Sequence, residues 1–276
     1  MDEKSKIKKA IIIIFLALGS IVVIIPFLWM LVSAFKPNIE ILTLELNVFK
    51  TTWTLDNFRR VLFHDPLPRA YLNSIIIGVS ITAFTVFTST CAGYLLAKFK
   101  FRGRDALFML IMGSIMIPHQ AAVIPLYFLA GKLNILNTYS GLVFPFIMAA
   151  FHIFLVRQFM YGIPDEVLEA ARVDGASEWR ILFKIVFPLA KPVISVVGIL
   201  TLLHSLDELL WPLVVVNTPD MQTLSLILAR YTQSMGGPIP GPTAAATSFI
   251  IVPVLIAYMF FQRFFVKGIT MTGLKG

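Results

Sequence analysis

Long apolar runs separated by short polar segments organise this chain. Five runs are nearly free of charge: 10–35, 71–97, 106–131, 133–156 and 243–262. Each exceeds the roughly 18 apolar-dominated residues that a membrane-crossing helix needs. A sixth run, 192–216, is long enough to cross but carries Asp207 and Glu208 inside it. Counting it gives six spans. The runs are continuous, so they predict helices. Barrel strands would read as alternating segments of about ten residues. The first run has a basic start at Lys4, Lys6, Lys8 and Lys9 and a small-residue triplet, Ala17-Leu18-Gly19. It continues well past the roughly 7–15 residues of a signal peptide core, which predicts an uncleaved first helix.

Composition narrows the class. The chain has 276 residues, 58% hydrophobic and 14% charged. A soluble domain is about a quarter charged, and this much apolar surface cannot be hidden in one small core. Disordered chains, disulfide scaffolds and most soluble enzymes are excluded. The net charge of +8 reports loop orientation, not nucleic-acid binding. With the N-terminus inside, most lysines and arginines fall on inside segments, including Lys98 to Arg104 and Arg157 to Lys191. That bias predicts two cytoplasmic termini. Cys91, the one cysteine, lies in an apolar run and reads as a buried thiol.

The one sizeable cytoplasmic loop, 157–191, carries the sharpest signal. From Gly162 to Pro188 it reads as helix, turn, helix. Pro164 suits a first helical position, and Asp165 and Glu166 suit the positive first turn. Gly175 supplies a left-handed terminator, and Ser177 caps a second helix. Trp179, Leu182, Phe183 and Val186 recur at i, i+3, i+4 and i+7, predicting one apolar face. Pro188 should stop or kink that helix. Two readings stand: a docking element with a close-packing alanine face, or a hairpin lying on the membrane surface.

Glu169-Ala170-Ala171, then Gly175, Ile185 and Phe187-Pro188, with Asp174-Gly175-Ala176-Ser177 between, resembles the loop motif of ABC importer permeases. Phe187 replaces the more usual leucine. Asn73-Ser74, Ala92-Gly93-Tyr94, Pro118, Pro125 and the ending Lys267-Gly268-Ile269-Thr270 with Leu274-Lys275-Gly276 extend the likeness to the maltose-type sugar permeases. The resemblance implies an all-α integral membrane protein of six transmembrane helices, with type I ABC importer architecture and a cytoplasmic coupling helix. It implies residues 1–9 as a cytoplasmic tail, 10–266 as the permease domain and 267–276 as a second tail. Glu169, Ala170, Ala171, Asp174 and Gly175 would dock a separate ATPase. Two ATPase copies would bind ATP and Mg. A homologous permease and an extracytoplasmic solute-binding protein would complete a complex in a prokaryotic inner membrane.

Candidate solute contacts lie in the fifth span. A carboxylate at mid-bilayer costs about 2.5–3.5 kcal/mol, so Asp207 and Glu208 should face protein or water. His204, Asp207, Glu208 and Trp211 fall at i, i+3, i+4 and i+7. Carboxylates accept hydroxyl hydrogen bonds and an aromatic plate covers a sugar face. The competing reading is a polar seam between permease subunits. The family often has tryptophan-asparagine where this chain has Leu206-Asp207. Pro118-His119-Gln120 interrupts the third span, either lining a pathway or kinking against neighbours. His152, alone in the fourth span, reads as a hydrogen-bonded helix contact.

Gly131-Lys132 lacks the glycine and Ser/Thr of a phosphate-binding loop, so no ATP hydrolysis is expected of this chain. The histidines and cysteine show no metal-ligand spacing. No catalytic residue, metal, resident cofactor or nucleic-acid partner is expected. The reading is an importer subunit for a sugar or oligosaccharide. Its alternatives are the same machinery carrying glycerol phosphate, a membrane-embedded enzyme using Asp207 and Glu208, and a non-transporting scaffold.

Overall fold

The computed structural model describes residues 3–42, 52–63, 66–232, 240–249, 251 and 259. The predicted end of the sixth span, the turn at 236–239 and the tail 267–276 lie outside the described residues. The described residues form helices and connecting turns, with no strand. In order these are α1 (Glu3–Ala34), α2 (Asn38–Leu42), α3 (Asp56–Phe63), α4 (Leu67–Lys98), α5 (Arg104–Ser114), α6 (His119–Lys132) and α7 (Tyr139–Val143). Then follow α8 (Ala150–Met160), α9 (Asp165–Val173), α10 (Glu178–Ile181), α11 (Phe187–Leu189), α12 (Lys191–Asp207), α13 (Leu210–Val215) and α14 (Leu224–Thr232). Two compact units divide the chain: Met1–Leu67 with Ile227–Val252, and Pro68–Leu226 with Pro253–Gly276.

In the first unit, α1 is an uninterrupted apolar helix whose Ile11–Ala34 stretch is long enough to cross a membrane. Its C-terminal carbonyls need partners once the helix ends. The buried Asn57 amide provides them, donating to the carbonyls of Ala34 (3.0 Å) and Lys36 (2.8 Å). Phe35, Phe58 and Phe249 close this end as an aromatic cluster, with ring centroids 4.8 and 5.7 Å apart.

In the second unit α4 is the one unbroken long helix, and the other predicted spans bend. The 106–131 run divides into α5 and α6, which meet at 99°. Pro118 caps α6 in an extended conformation, since proline cannot donate to the preceding turn. The break is therefore sharper than a kink. The 133–156 run is also interrupted. Asn134 and Asn137 take left-handed backbone (φ 54° and 55°), which asparagine tolerates. Residues Tyr139–Phe146 then meet α8 at 49°. In the fifth run α12 ends at Asp207, and α13 begins at Leu210. Among the described residues two helices are long and apolar enough to cross, or five if each bent pair counts as one span.

Breaks release backbone groups that lipid cannot satisfy. The Thr85 and Thr88 hydroxyls of α4 donate to the freed carbonyls of Phe146 (2.9 Å) and Ile147 (2.6 Å). The buried Asn73 amide donates to the carbonyls of Asp220 (2.7 Å) and Gln222 (2.8 Å), while its Oδ1 accepts from the Tyr139 hydroxyl (2.6 Å). The Ser74 hydroxyl accepts from the Leu224 amide at 2.9 Å.

Gly93 lets α4 approach α8. A Cβ there would lie 2.6 Å from Val156 Cγ1 and 3.0 Å from the Arg157 amide nitrogen, and Val156 is fully buried. Gly93→Ala should therefore cost about 1–3 kcal/mol through overpacking. Gly19, with nothing within 4 Å, should accept alanine without loss. Thermal unfolding in detergent compares the two.

Candidate functional site

Residues 157–191 run from the end of α8 through α9 and, after a turn at Gly175, a second helical stretch from α10 to α11. Pro164 takes the N-cap of α9, one position earlier than expected, with Asp165 and Glu166 in the first turn. Gly175 adopts φ +79°. Its amide donates to the Arg172 carbonyl and the Ala176 amide to the Ala171 carbonyl, each at 3.0 Å. These are the two bonds of a Schellman ending, which needs the left-handed residue that glycine supplies without penalty. The Ser177 hydroxyl then caps α10 by accepting from the Arg180 amide at 3.3 Å.

Charge pairs fix the unit internally and to α4. Lys98 Nζ donates to the Ile163 carbonyl and to Asp165 Oδ1, both at 2.6 Å, with only 6% of the lysine side chain exposed. Across the Gly175 turn, the Arg172 guanidinium reaches both Glu178 oxygens at 2.7 and 3.4 Å. The Tyr94 hydroxyl of α4 donates to Glu178 Oε2 at 3.0 Å. The hydrogen bond from Lys98 holds Asp165 below its ordinary value, and the one from Arg172 does the same for Glu178. Beneath, Leu168, Ile181, Leu182 and Val186 join Tyr94, Val156 and Met160 in one core. Arg157 is buried at the end of α8, its guanidinium 3.7 Å from the Phe108 ring centre and its Nε donating to the Leu96 carbonyl.

Of the predicted docking residues, Glu169, Ala170, Asp174 and Gly175 are exposed on one edge, and Val173 projects there at 88% exposure. Ala171 is half-buried against the core. The predicted apolar face of the second helix is corrected: Ile181, Leu182 and Val186 turn inward, whereas Trp179 and Phe183 are exposed. At 100° per residue Ile181 and Leu182 lie on a different side of the helix from Trp179 and Phe183, and the π-helical segment Leu182–Val186 then keeps Val186 on the inward side. Pro188 has no N–H for the Lys184 carbonyl, and the Phe187 amide bonds to the Leu182 carbonyl instead. The chain thus runs through Pro188 and bends by 81° between Leu189 and Lys191.

The fifth-span candidates do not share one helical face, because α12 stops at Asp207. Glu208 instead caps α13: its Oε1 accepts from the Trp211 amide at 3.0 Å. Its own carbonyl accepts from the Ser225 hydroxyl at 2.7 Å. His204 Nε2 lies 3.8 Å from Glu208 Oε2. Asp207 is exposed. Trp211 is fully buried and its indole N–H donates to the Gly141 carbonyl at 3.0 Å, so it presents no open plate. His119 reaches His204 indirectly: both rings pack on Phe146, at 5.1 and 6.2 Å. His119 Nε2 is buried with no partner among the described residues. Gln120 is exposed. Phe146 went unremarked in the sequence, although Phe144-Pro145-Phe146 marked a break in the fourth span. His152 is corrected too. Its Nδ1 has no hydrogen-bond partner among the described residues, and its ring lies beside Phe151.

A family model described as binding-protein-dependent transport system inner membrane component matches residues 89–271, more than half of the chain and all of this loop. The chain belongs to that family. It is a permease component of an ABC transporter, not an enzyme. The arabinooligosaccharides transport system permease protein of Halalkalibacterium halodurans is 35% identical over 92% of both chains. Its Bacillus subtilis counterpart is 32% identical over 95% of this chain and 94% of its own. Among solved structures, a bacterial ABC transporter involved in alginate import matches the permease fold with TM-score 0.83 at 21% identity, covering 96% of this chain and 99% of that one.

Asp165 and Glu178 titrate below their ordinary values in the folded loop, so the unfolded loop binds more protons. Their anchoring is complete at neutral pH and is lost as pH falls below the ordinary 3.8 and 4.5 through the lowered values. Amide hydrogen exchange over 163–178, corrected for intrinsic rates, should lose protection across that acid range. Lys98→Met should expose the α9 end already at pH 7.

Proposed function

We propose that this permease imports a sugar or oligosaccharide and that a separate ATPase docks on its 164–188 loop. The observation that carries the docking is the exposed edge of Glu169, Ala170, Val173, Asp174 and Gly175 on a loop backed by core and tied to α4 at Lys98 and Tyr94. A docking element must transmit displacement without deforming, and this one is braced on both sides of its turn. Relatives named for arabinooligosaccharide transport support the cargo class.

In this reading six helices span the inner membrane, with α1, α4, the three bent pairs and a last span over 243–262. Both termini then face the cytoplasm. A homologous permease pairs with this chain, two ATPase copies bind ATP and Mg, and an extracytoplasmic binding protein delivers solute. ATPase closure moves the loop as one body. Lys98 and Tyr94 pass that movement to α4, and the bends at 115–118, 147–149 and 190 are the hinges over which the bundle switches access. His119, Gln120, His204, Asp207 and Glu208 flank the solute path beside Phe146, and Trp211 supports that wall from within.

Gly175 stands in open space, with nothing within 4 Å of an added Cβ, and aspartate is among the residues that tolerate left-handed backbone. Gly175→Asp should thus insert at normal abundance, lose the co-purifying ATPase and lose uptake of an arabino-oligosaccharide. Normal uptake at equal abundance would refute the docking. Unchanged docking with uptake of glycerol phosphate alone would replace the cargo.

A further inference from the structure

The exposed side of the segment Glu178–Leu189 carries a ladder of aromatic rings that the docking edge does not use. Trp179 stacks on Phe183 (6.1 Å, 17°) and Phe183 on Phe187 (5.4 Å, 24°). Phe87 of α4 extends the ladder, lying 6.4 Å from Phe183 at 14°. Trp179, Phe183 and Phe87 are 63%, 47% and 41% exposed. The opposite side of the same segment is fully used, with Ile181, Leu182 and Val186 in the core. So Trp179 and Phe183 form a surplus apolar face, and Phe187, half-buried against the core, closes its inner end.

Depth limits what can cover it. Glu178 meets α4 at Tyr94, four residues before the helix ends at Lys98, and Phe183 meets it at Phe87, eleven residues before. At 1.5 Å per residue those positions lie about 6 and 16 Å in from the end of α4. A soluble ATPase reaches the end of that helix, not 16 Å along it. α4, at 32 residues about 48 Å long, exceeds the roughly 30 Å hydrocarbon layer by about 9 Å at each end when centred, which places Trp179 in the interfacial layer, where tryptophan is enriched, and Phe183 at the edge of the hydrocarbon.

Charge selects the lipid. From residue 179 to residue 206 there is no Asp or Glu, while Arg180, Lys184 and Lys191 are present and exposed. None of the three is in an ion pair among the described residues. The nearest acid, Glu178, is already held by Arg172 and Tyr94. Long cationic side chains beside an apolar stripe lay their stems on it and send their charges to the headgroups.

We propose that the Trp179–Phe183–Phe187 ladder, with Arg180 and Lys184 beside it, is an interaction surface for anionic phospholipid, which anchors the loop's second helix to the membrane interface. It shares no residue with the docking edge and does not depend on which solute is carried. A lipid bound there would set how freely the loop moves, making coupling sensitive to the charge of the leaflet.

The test uses the full importer reconstituted in vesicles containing either brominated phosphatidylglycerol or brominated phosphatidylcholine at equal bromine content. The emission of Trp179 is the difference between wild type and Trp179→Phe, which preserves the stacking. That component should be quenched in both vesicles and more strongly in phosphatidylglycerol. In a background retaining Trp179, Arg180→Gln with Lys184→Gln should abolish the phosphatidylglycerol excess while leaving quenching by phosphatidylcholine. Each cation should contribute up to about fivefold in lipid preference. An unquenched Trp179 would mean that protein, such as the second permease, covers the ladder. Equal quenching by the two lipids in the wild type would mean that no anionic lipid is selected. Either result overturns the proposal. Loss of transport in the Gly175→Asp variant bears only on docking, so the two readings fail separately.

Discussion

A helix that breaks inside a bilayer must find new partners for the carbonyls and amides it releases. In the second compact unit α4 provides them. Its Asn73, Ser74, Thr85 and Thr88 reach the residues flanking the breaks and the 220–224 turn. Each such bond is worth only about 1 kcal/mol net, but leaving its partner unpaired in a dry environment costs more. The bends are therefore affordable only beside a straight, polar-studded helix. Gly93 adds the close approach to α8 that keeps the packing around that helix dense.

The same helix supports the candidate docking loop. Lys98 and Tyr94, at the last turns of α4, hold Asp165 at the start of α9 and Glu178 at the start of α10. Arg172 bridges the turn between them. The loop is thus anchored at both of its helix starts, and the Schellman turn at Gly175 leaves its tip unencumbered. Hydrogen-bonded charges fix orientation, and the apolar core beneath fixes distance. Contacts therefore run without a gap from the loop to α4 and α8, the arrangement that the proposed coupling would need.

Much of this loop was legible in the sequence because its signals are local. Glycine after a helical run and serine before a glutamate each specify one backbone geometry, and those geometries appear at Gly175 and Ser177, while Pro164 starts the first helix from the N-cap, one position before the expected one. Periodicity was less informative, because the same residues fit more than one face and a run can stop without a local signal. The i, i+3, i+4, i+7 pattern chose a face centred on Trp179 and Phe183, but the core takes Ile181 and Leu182, and the stop after Asp207 removed Trp211 from the face of His204. Hydropathy located the membrane runs but not their bends, since an apolar run reads the same whether straight or folded by 99°. Asn73 and Ser74 were recognisable as a motif, yet their bonds join residues nearly 150 positions apart, which no local pattern encodes.

Docking requires that the loop tip meet an ATPase. Val173, exposed beside Gly175, is the most direct reporter. A photo-activatable residue at position 173, irradiated in native membranes, should cross-link to an ABC ATPase subunit, with a yield that changes on adding ATP. Cross-links to lipid or to another membrane subunit alone, with no ATPase product in either nucleotide state, would contradict the account.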